Sequence, residues 1–292
     1  MGTTCDGKTW LSGYRRIRIQ HMYLPDISGN RYVSEPRRFR RFANRSNAFR
    51  HLVFYFQYSI LVIWCGIKTM IVGKPLATVA LQSLKLLRNV EIQGAQITID
   101  GLDRFPADGA PYVFACNHMG TLEASVLPGI IASRIPMTFV VKKNLLRVPF
   151  CGHFLKRLDV IPVTRKHPGE DLMKVLEKGA GLLSRGISVV LFPEGSRQEV
   201  FSSRKFNSLA TKLALRAGVP VVPVALRTDF WGIGKHRSYF GPLHYDAPVR
   251  MTFGDPIRPA GRGRSEHRQV LDFIHRHLRE WGLPVEDRVK PL

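Results

Sequence analysis

The chain has 292 residues, long enough to bury a substantial core, and 45% of them are hydrophobic. Its 44 Lys and Arg against 22 Asp and Glu leave a formal charge of +22, which points to an anionic partner: nucleic acid, a phosphorylated substrate or an acidic lipid surface. Four scattered cysteines without CxxC spacing argue against a zinc site or a disulfide framework and suit a reducing compartment.

In chain order, residues 1–50 carry eleven Lys and Arg against three acids with no sustained period, and residues 1–48 read as a basic, flexible arm. No secretory signal is expected, because the apolar segment comes too late and no small-residue cleavage pattern follows it. Residues 52–72 approach the roughly 20 apolar residues that cross a bilayer, interrupted by Gln57, Ser59 and Lys68. Basic residues on both flanks give no clear orientation for a single crossing, so a helix that dips in and returns is the better expectation. After the break at Gly73-Lys74-Pro75, residues 76–87 carry an amphipathic helical pattern. Together, residues 49–89 are expected to form a one-leaflet, monotopic helical anchor; a buried hairpin in a soluble domain is the alternative.

From residue 90 to 292 the pattern becomes short β-branched runs alternating with helical stretches. Strands are expected at 91–99, 112–116, 137–141, 160–164, 187–192, 221–226 and 250–253. Helices are expected near 122–132, 150–157, 171–184, 208–217 and 265–281. This alternation predicts an α/β domain with a mixed, largely parallel sheet flanked by helices, and functional residues at the carboxyl ends of strands.

Three such ends carry chemistry. In Cys116-Asn117-His118-Met119-Gly120-Thr121-Leu122-Glu123, the histidine sits on a turn after a strand and the carboxylate in the first turn of a helix. On one continuous helix a spacing of five would separate them by about 140°; from a turn, the carboxylate can reach back. A base and the acid that orients it need that arrangement, although the helix dipole alone also favours an acid there. Cys116, on a strand flanked by apolar residues, reads as a core residue rather than a thiol nucleophile. The second end, Phe192-Pro193-Glu194-Gly195-Ser196-Arg197, is a rigid turn in which Gly195 admits close backbone approach and Arg197 presents a fork for phosphate. The third, Asp159 to Arg165, sets another arginine at a strand end.

Asn117-His118 with Glu123, the segment from Lys143 to Arg165 containing Gly152, the Phe192 to Arg197 turn and Val219 to Val224 resemble the four ordered blocks of the glycerolipid acyltransferases, the 1-acylglycerol-3-phosphate acyltransferase family, over about residues 101–228. The resemblance implies transfer of an acyl group from acyl-CoA or acyl-carrier-protein to the free hydroxyl of a lysophospholipid. It implies His118 as general base, Glu123 as its orienting acid, and Arg165, Glu194, Gly195 and Arg197 as substrate-binding. The oxyanion or the phosphate could be met by backbone at Gly120 or by Lys142 or Lys143. No metal and no cofactor beyond the co-substrate thioester is expected.

The sequence departs from the family pattern at Glu123, where aspartate is commoner, at Met119-Gly120-Thr121, and at Ser196 and Gln198. The acceptor therefore stands between lysophosphatidic acid and a related lysolipid such as a lyso-ornithine lipid. A membrane-associated enzyme at the cytoplasmic face, meeting an anionic membrane surface, would use the basic excess. The rival class, a basic nucleic-acid-binding protein, lacks a helix-turn-helix, zinc or aromatic RNA-binding motif, and no nucleic-acid partner is expected.

Overall fold

The computed structural model describes residues 25–34, 45–73, 75–106, 110–234 and 240–286. Eight strands among them form one sheet: β1 (Arg31–Val33), β2 (Ile97–Asp100), β3 (Val113–Cys116), β4 (Met137–Lys142), β5 (Ile161–Val163), β6 (Ser188–Leu191), β7 (Val221–Arg227) and β8 (Val249–Phe253), in the order β1-β2-β8-β7-β3-β6-β4-β5. Five neighbouring pairs are parallel; only β1 on β2 and β7 on β8 run antiparallel. The central strands β3 and β6 are buried at every residue, which is why their sequences, VFAC and SVVL, lack the alternation of a strand with one wet face. The sheet is the largely parallel α/β arrangement that the strand-helix alternation predicts.

Seven α-helices accompany the sheet among the described residues: α1 (Asn47–Val72), α2 (Pro75–Ile92), α3 (Leu122–Ile131), α4 (Cys151–Arg157), α5 (Pro168–Leu183), α6 (Leu209–Ala217) and α7 (Arg264–Glu280). Two apolar clusters lie in the fold. One gathers residues of α1, α2 and α3 with Phe114, Phe253 and Trp231; the other gathers α5, α6 and α7 with Val113, Val189 and Val221. Alternation along β3 divides Val113 from Phe114 between them.

The helical pair differs from its expected form. α1 is one uninterrupted helix of 26 residues, about 39 Å long, without a mid-helix return. Ser46 caps its start by accepting from Phe49 N, and Gly73, at φ 65°, ends it in the left-handed conformation that glycine adopts freely. One face packs on the domain through Phe54, edge-on to Phe230 and Trp231, and through Gly66, where a Cβ would come within 2.7 Å of Phe150. The other face leaves Leu52, Phe56, Ile60, Ile63, Trp64 and Ile71 exposed.

α2 does not share that exposure. Leu84, Leu86, Leu87 and Val90 are buried, and at Gly129 of α3 a Cβ would stand 3.0 Å from Ala80 O, so the two helices meet nearly backbone to backbone. Each buried leucine or valine is worth about 1.5–3 kcal/mol against exposure, and α3 offers α2 a partner for that surface. Residues 76–89, expected to share the membrane-facing surface with α1, do not: none of them is exposed, and this helix packs on α3.

Two boundaries move with it. The strand expected at 91–99 begins at Ile97, because Glu91 and Ile92 complete α2; Glu91 is buried, 2.5 Å from Arg88 and bonded to the Tyr32 hydroxyl. Within the span expected to be an arm without elements, Arg31–Val33 adds a strand at the sheet edge, paired in register with residues 98–100. Residues 1–24 and 35–44 of that basic span lie outside the described residues.

Candidate active site

Because β3, β4, β5, β6 and β7 run parallel, the residues that follow them gather at one end of the sheet. Asn117, just beyond β3, exchanges two hydrogen bonds with the backbone of Leu226 on β7, donating at 2.9 Å and accepting at 2.8 Å. That clasp holds the chain as it leaves the strand. At Gly120 a Cβ would fall 2.4 Å from the carbonyl oxygen of Trp231, so only glycine lets the turn lie against that backbone.

The turn brings Glu123 back under His118. Its Oε1 lies 2.8 Å from His118 Nδ1 and accepts from the N–H groups of Met119 and Gly120 at 2.7 and 2.8 Å; its Oε2 accepts from the Thr228 hydroxyl at 2.6 Å. The Glu123 side chain is fully buried. Burial alone would push its pKa up, but the hydrogen bond and charge of His118, the Thr228 hydroxyl and the Gly120 N–H together hold it below the usual carboxylate value. His118 keeps 13% of its side chain exposed and stacks on Phe192 with ring centroids 4.3 Å apart. With Nδ1 directed at the carboxylate, Nε2 is the nitrogen left to meet a substrate.

Glu194, beyond β6, lines the cavity beside His118 and also supports the His118 backbone. Its Oε2 accepts the backbone N–H of His118 at 2.7 Å, and Oε1 is buried without a protein partner. Burial, reinforced by the Glu123 charge, raises its pKa to about 8, against the lowering effects of the His118 N–H and Lys205. Gly195 stands at φ 71° with open space where a Cβ would be, so its glycine serves the turn's conformation. Arg197 Nη1 donates to Thr121 Oγ1 at 3.1 Å.

A cavity of about 1020 Å³ opens here, with two kinds of wall. Its polar lining includes His118, Gly120, Glu194, Gly195, Arg197, Arg165, Lys142 and Lys212. Its apolar lining includes Leu61 and Val62 of α1, Val79 and Leu86 of α2, Phe139 of β4, and Phe154 and Leu155 of α4. Two expected contacts change. The N–H of Gly120 is committed to Glu123, so it is not a donor for an oxyanion. Lys143 starts the 3-10 turn Lys143–Arg147, is exposed and does not line the cavity, whereas Lys142, at the end of β4, does.

Sequence reasoning passes over Thr228 and Lys212. Thr228 had a usable signal, a hydroxyl just past a strand expected at 221–226. Lys212 had none, being one basic residue of many on a helix. Among the described residues, no group of three His, Cys, Asp or Glu is arranged to hold a metal ion.

A family model described as Acyltransferase matches residues 96–227. The 1-acyl-sn-glycerol-3-phosphate acyltransferase of Pseudomonas aeruginosa is 31% identical over 201 residues, covering 69% of this chain and 73% of that one. The human 1-acyl-sn-glycerol-3-phosphate acyltransferase alpha is 28% identical over 162 residues, 54% of this chain and 56% of the relative. In structure, the 1-acyl-sn-glycerophosphate (LPA) acyltransferase PlsC of Thermotoga maritima superposes with a TM-score of 0.64 at 20% identity, covering 82% of this chain and 98% of that one, a likeness of fold. These findings define the chain as an O-acyltransferase. It belongs to the 1-acylglycerol-3-phosphate acyltransferase family.

Proposed function

We propose that the protein transfers a fatty acyl group from a thioester, acyl-CoA or acyl-carrier-protein, to the free hydroxyl of 1-acylglycerol-3-phosphate, forming phosphatidic acid, with His118 as general base. The observation that carries this reading is the bond between His118 Nδ1 and the buried Glu123 carboxylate, beside a cavity lined by basic side chains and by many apolar ones.

An alcohol is scarcely ionised near neutrality. Nε2 of His118 removes the hydroxyl proton as the oxygen attacks the thioester carbonyl, a contribution of roughly 10²- to 10⁴-fold. The carboxylate of Glu123 stabilises the imidazolium and fixes the ring. The tetrahedral intermediate then collapses: the C–S bond breaks, the imidazolium proton goes to the leaving sulfur, and ester and free thiol depart. Lys142 lines the cavity and is the candidate partner of the oxyanion. Arg165 and Arg197 bind the acceptor's phosphate, and the apolar lining takes an acyl chain.

The same reading sets the protein on an anionic membrane at the cytoplasmic face, with α1 lying in one leaflet. Support comes from the way α1 packs along its length, from Phe54 to Thr69, whose carbonyl accepts from Arg157. A crossing helix would drag the domain into the bilayer, whereas a helix lying flat offers its exposed apolar face to lipid.

The test is product analysis with purified protein in detergent, supplied with one labelled acyl-CoA and, separately, one acyl-carrier-protein, against 1-acylglycerol-3-phosphate, a lyso-ornithine lipid and a lysophosphatidylcholine. Phosphatidic acid as the dominant product is expected. Acylation of another lysolipid with none of 1-acylglycerol-3-phosphate would overturn the acceptor assignment.

A further inference from the structure

β5 is only three residues long, and the chain beyond it turns sharply. Arg165 stands at φ 62°, the left-handed region, one of three non-glycine residues there among those described. An arginine gains nothing from that conformation intrinsically, so neighbouring groups must hold it. One side chain contributes directly. The Asp171 carboxylate, in the first turn of α5, accepts the Arg165 N–H at 2.6 Å, the Thr164 N–H at 2.9 Å and the Thr164 hydroxyl at 3.1 Å. Two consecutive N–H groups converging on one carboxylate make a small anion nest with the anion supplied in cis. Burial would raise the pKa of Asp171, but these N–H groups, the hydroxyl and Lys174 bring it below the usual value, so the acceptor stays ionised and closed around the turn. Asp171 and Arg165 both line the cavity that holds His118.

We propose that Asp171 is a positioning residue for acceptor binding: by locking the Thr164–Arg165 turn it aims the Arg165 guanidinium at the phosphate of the lysolipid. This rests on the acceptor reading above, in which Arg165 meets that phosphate. Asp171 itself touches no substrate. Its negative charge is occupied by backbone N–H groups, so it can stand beside a phosphate site without facing the anion. The local geometry separates two duties within one cavity: His118 and Glu123 set the rate of proton removal, and Asp171 with Arg165 sets how well the phosphate is held.

Asp171→Asn keeps the shape but turns one acceptor oxygen into a donor that opposes an N–H, releasing the turn. The experiment compares wild type, Asp171→Asn, Arg165→Ala and the double variant for kcat and KM, with direct titration of 1-acylglycerol-3-phosphate and of phosphate-free 1-acylglycerol into each protein in detergent. Asp171→Asn is expected to raise KM and the dissociation constant for the phosphate-bearing lipid about tenfold, the scale of one lost charge-assisted contact. It should leave kcat within about twofold, and affinity for the phosphate-free lipid unchanged. In the Arg165→Ala background the same change should add nothing.

An equal loss for both lipids, or an undiminished loss when Arg165 is already alanine, would reduce Asp171 to a merely structural role and overturn the proposal. Asp171→Asn that binds the phosphate-bearing lipid as wild type does would overturn it too. A wild type that binds 1-acylglycerol-3-phosphate without acylating it would end the proposed reaction yet leave the binding comparison, and hence this inference, decided.

Discussion

The His118–Glu123 pair and the apolar lining of the cavity are built by different means. His118, Glu123 and the turn between them come from six consecutive residues, closed by Thr228 from the neighbouring strand end. The apolar lining draws on α1, α2, β4 and α4, which come together only when the fold is complete. The pair is stiff, since every oxygen of Glu123 is bonded, and it controls chemistry; the lining is a wall of side chains without directional bonds, and it controls what fits. Damage to the pair should therefore appear in turnover, damage to the apolar lining in chain selection.

The largest expected effect is that of His118→Ala, which should lower kcat/KM by about 10²- to 10⁴-fold, measured by acyl transfer; because it also removes a partner of the buried Glu123 carboxylate, calorimetry on the same preparation should show a lowered melting temperature with the protein still folded at the assay temperature. Next is Thr228→Val. It removes one of the donors to Glu123, and the loss of a hydrogen bond to a charged group, about 1.5–3 kcal/mol in stability, should reach turnover as roughly a tenfold fall in kcat. In the apolar lining, Leu61→Trp fills space rather than breaking a bond. It should lower kcat/KM for long acyl donors several-fold more than for short ones, at about 0.8 kcal/mol per displaced methylene, with headgroup preference intact. An equal fall across all chain lengths would show that Leu61 does not border the chain.

The smallest effect is a pH dependence that distinguishes the two carboxyls beside His118. Glu123 is held below its ordinary pKa, so its contribution to stability is present above the unfolded value and lost as pH falls through the folded one. Glu194 is raised to about 8, so the folded state favours its protonated form; that contribution is complete below the unfolded pKa and declines as pH rises through about 8. Glu194→Gln keeps an oxygen for the His118 N–H and does not ionise. Its melting temperature relative to wild type should therefore rise between pH 5 and pH 8, by a few degrees; a flat difference would mean that Glu194 is not strained by burial.

The same contrast explains what the sequence made legible. Strand ends in a parallel sheet and a His and Glu five apart are local signals, and both carry through to the structure. Helix faces are not local: α1 reads as an apolar helix and α2 as an amphipathic one, both suited to a membrane anchor, but only α2 has Gly129 and α3 to pack against, while α1 keeps Leu52, Phe56 and Ile60 outside. Glu91 and Ile92 looked like the start of a β-branched run because helix and strand share short apolar stretches; in the structure they complete α2, with Glu91 bonded to Arg88 one turn back and to Tyr32 almost sixty residues away. Arg31–Val33 was hidden for the same reason, since an edge strand of three residues is defined by its neighbour β2 rather than by its own pattern. The engagement of the Gly120 N–H by Glu123 is a matter of tenths of an ångström that no spacing rule expresses.

The central claim is that Glu123 contributes to turnover only through the His118 imidazole. Its most direct test is the residual turnover of the His118→Ala, Glu123→Gln double variant against His118→Ala alone, in the same detergent and at the same lysolipid concentration. The account predicts equal rates, because without the ring the carboxylate has nothing left to orient. A further loss as large as Glu123→Gln causes in the wild-type background, or a His118→Ala enzyme as fast as wild type, would contradict it.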